Sequence, residues 1–99
     1  MVAYLIADIT VHDLEQFMEY VRQVPAFVEK HGGQYRVRGG EPESQEGSWQ
    51  PQRLVIIEFP SKDDALAFLN DPDYQPIAAI RHAAASTSLI VAEGISQYQ

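Results

Sequence analysis

The sequence contains no cysteine, few basic residues and no long apolar run. Without cysteine, disulfides, thiolate metal ligands and cysteine nucleophiles are all excluded. The 7 lysines and arginines against 14 acids leave a net charge of −7, which repels phosphate backbones, so we expect no nucleic-acid partner. The longest stretch without Asp, Glu, Lys or Arg is His82–Ala92, well short of the roughly 18 to 20 apolar residues of a membrane span. We therefore expect no membrane partner.

A chain of 99 residues, 45% of them hydrophobic, is long enough for one domain with one two-layer core. We predict a single domain over residues 1–99. No basic segment followed by an apolar one opens the chain, so no signal peptide is predicted and a cytoplasmic location is expected.

Short runs rich in β-branched and aromatic residues predict strands. These runs are Val2–Val11, Gln34–Arg38, Arg53–Phe59 and Ser88–Ala92. Gly39-Gly40 ends the second run and Pro60 ends the third. The last residues, Gly94–Gln99, are predicted to form a tail.

Helical spacing of apolar residues begins after Asp13, a suitable N-cap, and ends at Gly32-Gly33. Pro25 lies within this segment, so either the helix kinks there or a second helix starts with Pro25 in its first turn. Phe17 and Val21 follow the apolar side and are expected to be buried against a sheet.

A second helical region follows the third strand. Ser61–Asp64 resembles a capping box, with two acids in the positive first turn. Asp71-Pro72 interrupts the region, and a further helical piece is predicted over about Tyr74–Ala85.

The order of elements is therefore β-α-β-β-α-β, which indicates an α+β, ferredoxin-like fold. Its four-stranded antiparallel sheet carries the helices on one face. The first strand is apolar on both faces: Ala3, Leu5, Ala7 and Ile9 alternate with Val2, Tyr4 and Ile6. Because the chain is too short to cover a second face, we predict a homodimer in which two sheets pack face to face.

Several short motifs together resemble one bacterial family. They are Arg38-Gly39-Gly40, Glu46–Pro51 (EGSWQP), Arg53–Ser61 (RLVIIEFPS) and Asp71–Pro76 (DPDYQP), with the opening Ala3–Ile6 and the late Arg81. Over about Val2 to Gly94, this combination is similar to the family known as domain of unknown function 1330 (DUF1330).

That family resembles the dimeric α+β barrel superfamily. Other branches of the superfamily include cofactor-free monooxygenases, muconolactone isomerases and haem-binding chlorite-degrading enzymes. The resemblance implies a dimeric α+β barrel, but it implies no activity, because one fold hosts many functions. We predict no cofactor for this chain.

Two arginines stand on the second strand. Arg36 and Arg38 alternate with Tyr35 and Val37, so a regular strand places both arginines on the same face. A solvated strand face accounts for both of them. Arg38, however, precedes Gly39-Gly40, where backbone approaches a ligand closely, and this makes it a candidate ligand-binding residue.

Two carboxylates interrupt otherwise apolar strands. A carboxylate on an apolar sheet face is costly unless it is paired, so Asp8 and Glu58 need cationic partners or raised pKa values. Ion pairs with Arg36 or Arg38 satisfy that need structurally. A paired carboxylate and a carboxyl group with a raised pKa are both useful in a ligand site. Both acids are therefore candidate ligand-binding residues.

Three further candidates come from loops and the late helix. Arg81 follows Tyr74 by two helical turns, so the two share a helix face and reach one ligand from above the sheet. A tyrosine that closes the edge of the core, with its hydroxyl in water, is the structural alternative for Tyr74. Trp49, in a polar loop, is either a lid over a pocket or a dimer anchor.

The histidines do not indicate a metal site. His12, His31 and His82 lie in a turn, at a helix end and on a helix, and no two share one element at i, i+4 spacing. No Ser-His-Asp signature, phosphate-binding glycine loop or dinucleotide fingerprint is present. We predict no metal.

Two hypotheses follow. The first is a small-molecule site between sheet and helices, framed by Arg38, Glu58, Tyr74 and Arg81, in which a small anion with a carboxylate or enolate-like oxygen contacts an arginine. If chemistry occurs there, the resemblance implies cofactor-free oxidation or isomerisation of a small organic acid or aromatic compound. The second is a non-enzymatic dimeric binding or structural module, in which the charged residues set the register between subunits.

Overall fold

The computed structural model describes residues 1–95. The elements in chain order are β1 (Ala3–Val11), α1 (Leu14–Lys30), β2 (Gln34–Gly40), β3 (Arg53–Phe59), α2 (Lys62–Asn70), α3 (Gln75–Ala84) and β4 (Ala85–Glu93). Of the predicted tail Gly94–Gln99, residues 96–99 lie outside the described residues. Gly94 donates its backbone N–H to the carbonyl of Val2 at 2.8 Å.

The strands form one antiparallel sheet in the order β2-β3-β1-β4, which confirms the ferredoxin-like topology. The predicted interruption at Asp71-Pro72 is also confirmed, because α2 ends at Asn70 and α3 begins at Gln75. The last strand is longer than the sequence pattern indicated. It begins at Ala85, directly after α3, whereas the apolar run begins only at Ser88.

The helices cover one face of the sheet. On β1, the helix-facing residues Ala3, Leu5, Ala7 and Ile9 are at most 4% exposed, and they join Phe17 and Phe59 in the core. Of the two α1 residues expected to be buried, Phe17 is 1% exposed, whereas Val21 is only partly buried.

The other face carries an apolar row across all four strands. Ile90, Ile6, Ile56 and Val37 are neighbours in register from β4 to β2. Ile90 is 61% exposed. Ile6, Ile56 and Val37 are partly buried. The three helices lie on the opposite face, and we call the face that carries this row the open face.

The prediction that Arg36 and Arg38 share a face is wrong because β2 is irregular. The register shifts between Tyr35 and Val37, which leaves Arg36 outside the ladder. Arg38 then pairs with Val55, so it lies on the helix-facing side. A bulge of this kind adds one residue to a strand and reverses the alternation beyond it.

Pro25 neither ends nor divides α1, which runs unbroken from Leu14 to Lys30. The helix therefore tolerates the missing backbone donor at this position. Within the described part of the chain, no helix combines the length and hydropathy needed to cross a membrane.

Asp71 joins the end of α1 to the junction between α2 and α3. Its carboxylate is buried and accepts hydrogen bonds from Lys30 Nζ and His31 Nε2, each at 2.8 Å, and from the backbone N–H of Asp73 at 2.9 Å. The backbone carbonyl of Asp71 accepts from the N–H of Tyr74. Hydrogen bonds from Lys30, His31 and Asp73 hold the pKa of Asp71 well below its usual range.

Asp71→Asn is expected to lower the melting temperature at neutral pH. Because the pKa of Asp71 is depressed in the folded state, its contribution is present above the unfolded carboxyl pKa of about 3.9 and is lost as the pH falls. The difference in melting temperature between the variant and the wild type should therefore be largest above about pH 4 and shrink below it. Asp73→Asn is the matched control, since Asp73 is exposed and 3.9 Å from Lys30. Equal melting curves for Asp71→Asn and the wild type at pH 7 would contradict this account.

Candidate functional site

A cavity of about 40 Å³ lies between the sheet and the helices. Its floor includes Ala7, Ile9 and Val55 on the helix-facing side of β1 and β3, and its walls come mainly from the helices. At roughly 10 to 15 Å³ per enclosed water, the cavity has room for about three water-sized groups.

The polar groups that line this cavity are nearly all hydrogen-bond donors. They are the side chains of Arg38, Arg53, Arg81, Tyr20, Tyr35, Tyr74 and Thr87. No Asp, Glu or His lines the cavity. Among residues 1–95, none of these three arginines makes an ion pair, although the chain carries an excess of acids.

Arg38 is held at the cavity mouth by the helix above it. Its Nη2 donates to the carbonyl of Val21 at 2.9 Å, and its guanidinium lies 4.7 Å from the ring centre of Tyr35. The Val21 carbonyl is available because residue 25, its usual helical partner, is a proline without a backbone N–H. The proline inside α1 therefore creates the acceptor that positions Arg38.

Arg53 crosses the floor beside Gly39. A Cβ at Gly39 would overlap the Arg53 guanidinium where it now lies, and the φ of Gly39, 80°, favours glycine at this position. The guanidinium lies 5.3 Å from the ring centre of Phe17. Its Nε is buried and has no hydrogen-bond partner among the described residues. Burial lowers the pKa of Arg53, and the like charge of Arg38 lowers it further.

Arg81 supports a pair of tyrosine hydroxyls. Arg81 is 6% exposed, and its guanidinium lies 5.5 Å from the ring centre of Tyr20. The hydroxyls of Tyr20 and Tyr74 are 2.7 Å apart. Burial raises the pKa of Tyr20, and the neighbouring Tyr74 raises it further, so the hydroxyl stays protonated at neutral pH.

One of the two hydroxyl hydrogens of the Tyr20–Tyr74 pair is not used in the hydrogen bond between them. Two O–H groups that share one hydrogen bond use one hydrogen between them. Arg81, whose guanidinium lies 5.5 Å from the ring centre of Tyr20, has no acceptor atom and so cannot take up the second hydrogen. Within the described chain, one tyrosine O–H is therefore left to donate, and both tyrosines line the cavity.

Thr87 supplies a further polar atom on the floor. It is the neighbour of Ile9 on β4, just as Arg53 is the neighbour of Ile9 on β3. The Thr87 hydroxyl is buried, and no residue between 1 and 95 is in hydrogen-bond contact with it. Such an unsatisfied group costs about 1 to 3 kcal/mol, which a ligand that bonds to it recovers.

The structure brings together three of the six residues that the sequence indicated. Arg38, Tyr74 and Arg81 line the cavity. Tyr74 is 2% exposed, so its hydroxyl is enclosed and not in water as the structural alternative required.

The other three indicated residues lie away from the cavity. Glu58 belongs to the open face of β3 and pairs with Arg36 at 3.3 Å, so the expectation that it frames the same site is wrong. Asp8 lies on the same face of β1 and accepts a hydrogen bond from Trp49 Nε1 at 2.8 Å. Trp49 is 63% exposed on that side and is not a lid over this cavity. The cause is strand alternation, since Asp8 and Glu58 have the parity opposite to the core residues.

The sequence did not indicate four of the polar lining residues: Tyr20, Tyr35, Arg53 and Thr87. Arg53 had a usable signal, because it shares the inward parity of Val55 and Ile57 and is therefore a charge directed at the core. The sequence could place Tyr35 on the same face as Arg38 only if the bulge between them was known. Nothing local marked Tyr20, since its partner Tyr74 is 54 residues away.

The described residues hold no cluster of three or more histidines and acids able to bind a metal. His12 Nε2 contacts the Ser86 hydroxyl at 2.7 Å, and His31 contacts Asp71. These two histidines are therefore engaged in separate contacts at different places in the fold.

Comparison with protein families places the chain. A family model described as "Domain of unknown function (DUF1330)" matches residues 2–95. The chain belongs to the DUF1330 family. This confirms the resemblance carried by its sequence motifs. None of the curated proteins compared with the chain matches it.

Solved structures with the same fold as this DUF1330 chain include three of interest. A protein of unknown function from Rhodopseudomonas palustris is 18% identical, with a TM-score of 0.79 over 96% of this chain and 83% of its own. A dimeric ferredoxin-like protein of unknown function from Jannaschia sp. CCS1 is 13% identical, with a TM-score of 0.68 over 95% and 100%. SnoaB, a cofactor-independent oxygenase from Streptomyces nogalater, is 18% identical, with a TM-score of 0.62 over 97% and 94%. Identities this low establish the fold alone.

Gly39→Ala is expected to destabilise the protein by about 1 to 3 kcal/mol, the usual cost of a side chain in the left-handed region. Gly39 has a φ of 80°, and the added Cβ would also displace Arg53. Gly40→Ala is the matched control, because its Cβ would meet only Val37 at 3.7 Å. Urea unfolding of both variants measures the difference. Equal stabilities for the two alanine variants would show that Gly39 does not hold this geometry.

Proposed function

We propose that this protein binds a small organic anion, with a carboxylate or enolate oxygen, in the cavity between sheet and helices. The observation that carries the proposal is the composition of the lining, which offers three arginines and several hydroxyls but no carboxylate. Guanidinium groups only donate, and every hydroxyl in the lining has a hydrogen to donate, so the lining favours a ligand that is rich in acceptors and negatively charged.

The electrostatics of the site support an anion in spite of the net charge of −7. Arg81 is buried, and the two guanidinium groups of Arg38 and Arg53 are close enough that Arg38 lowers the pKa of Arg53. An anion between like charges relieves their repulsion. The apolar floor strengthens that attraction, because charges interact more strongly where the effective dielectric constant is low.

The size of the cavity favours a short-chain acid over an aromatic compound. Room for about three water-sized groups suits a few carbon atoms inside, while a carboxylate lies near Arg38, which is exposed at the mouth. An aromatic acid requires the side chains of the walls to move apart.

At least one of Arg38→Met and Arg81→Met is expected to weaken the binding of acetate, used as the probe, by about 10- to 100-fold, the usual range for a lost charge-assisted hydrogen bond. Titration followed by NMR chemical shifts measures the affinity. Arg36→Met is the matched control, since Arg36 lies on the same strand but pairs with Glu58 on the open face. It should leave the affinity unchanged.

Unchanged acetate affinity in both Arg38→Met and Arg81→Met would overturn the proposal. Absence of acetate binding to the wild type would do the same. Either result would favour the non-enzymatic structural module, in which the charged residues serve the fold and the subunit register.

A second candidate function is enzymatic. The spare O–H of the Tyr20–Tyr74 pair and the adjacent Arg81 can stabilise negative charge on a substrate oxygen, as oxyanion-binding donors do. An enolate held in this way is the species that cofactor-free oxidation or isomerisation of a small acid requires. The fold is shared with SnoaB, a cofactor-independent oxygenase, which is consistent with this candidate.

If the cavity stabilises enolates, a bound 1,3-dicarbonyl acid should ionise at lower pH than the free compound. Ultraviolet absorbance of the enolate band against pH measures this shift. Tyr20→Phe should reduce the shift, because it removes one hydroxyl of the pair. An unshifted ionisation curve in the wild type would restrict the function to binding.

We also propose that the protein is a homodimer joined through the open face. The apolar row of Ile90, Ile6, Ile56 and Val37 supports this arrangement, because Ile90 is 61% exposed at its end and contiguous apolar surface rimmed by polar residues is typical of interaction sites. Trp49, fixed by Asp8 beside the same face, is suited to be an anchor. The similar Jannaschia protein is described as dimeric.

Light scattering at micromolar concentration should give about twice the 11.1 kDa chain mass. Ile6→Lys should shift the mass to that of one chain, because it buries a charge in the proposed interface. Ile95→Lys, on a residue that is 90% exposed, is the control. A monomeric wild type at this concentration would contradict the proposal.

A further inference from the structure

The cavity floor holds unsatisfied polar atoms at two separate places. Arg53 and Thr87 flank Ile9 on opposite sides in one cross-strand row. Their backbones lie two strand spacings apart, about 10 Å. Both Arg53 Nε and Thr87 Oγ1 are buried without a partner among residues 1–95. A ligand that meets both atoms therefore extends across the strand that lies between them.

The two places differ in chemistry. At the β2–β3 side, Arg53 and Arg38 present two guanidinium groups, whose planar forks match a carboxylate. At the β4 side, Thr87 presents a neutral hydroxyl. The first place is therefore suited to a full negative charge and the second to a neutral or weakly charged oxygen.

The surface between the two places is apolar. Ile9, which is 3% exposed, separates them on the floor, and Ala7 and Val55 adjoin it. A ligand that spans this surface has a short hydrocarbon part between its two polar ends. The spare O–H of the Tyr20–Tyr74 pair, in the same cavity, adds another donor for an uncharged oxygen.

We propose that the ligand is a two-ended short-chain acid: its carboxylate binds Arg53 and Arg38, and a second oxygen, as an oxo, enol or hydroxyl group, accepts a hydrogen bond from Thr87. This inference rests on the proposed anion-binding function and specifies the ligand class. It assigns binding roles to Arg53 and Thr87, neither of which the sequence motifs indicated.

The test compares butanoate with 3-oxobutanoate, which differ only in the second oxygen, by NMR titration. The wild type should bind 3-oxobutanoate about 3- to 10-fold more tightly, the usual gain from one hydrogen bond between neutral groups. Thr87→Val keeps the shape of the side chain and should abolish this preference without changing the affinity for butanoate. Thr87→Ser restores the hydroxyl and should restore the preference.

Arg53→Met should weaken the binding of both acids, whereas Ser88→Ala should change neither, since Ser88 lies on the open face of the same strand. Melting temperatures show that each variant is folded. Equal affinities for the two acids in the wild type, with binding still dependent on Arg53, would overturn the two-ended ligand and leave the anion site intact. A preference that persists in Thr87→Val would also overturn it. Failure of the wild type to bind either acid would overturn the proposed function itself.

Discussion

The arrangement of the site depends on positive charge held between sheet and helices without an acid beside it. Arg81 is buried, Arg53 is half-buried, and Arg38 closes the mouth of the same cavity. No acidic side chain among residues 1–95 forms an ion pair with any of the three. The nearest acid on the strand of Arg53 is Glu58, which strand alternation directs to the open face. Uncompensated cations on an apolar floor are unfavourable for the empty fold, and an anion is the group that compensates them.

Three local exceptions to regular structure serve these arginines. Pro25 removes one helical hydrogen bond and so frees the Val21 carbonyl that binds Arg38. The bulge at Arg36 directs Arg38 towards the helices, and Gly39 leaves space for Arg53. Irregular backbone features that act on the same group of side chains are typical of functional sites. The open face carries an apolar row of the kind that a partner subunit covers.

Much of the fold was predictable from the sequence, because it depends on patterns within single elements. The β-branched and aromatic run of β1 predicted the strand, and Asp71-Pro72 predicted the break between α2 and α3. The site was less predictable, because it depends on contacts between elements. A regular strand places Arg36 and Arg38 on the same face of the sheet, and only the bulge puts them on opposite faces. Tyr20 meets Tyr74 through the packing of α1 on α3, which no short motif encodes.

Anomalous diffraction from crystals grown in a bromide salt tests the anion cavity most directly. Bromide is a small anion whose position is identified by its anomalous signal. The account predicts a bromide in the cavity, in contact with the guanidinium groups of Arg53 and Arg38. Bromide bound only at surface residues, with these arginines paired to carboxylates of the protein or of a second copy, would contradict it.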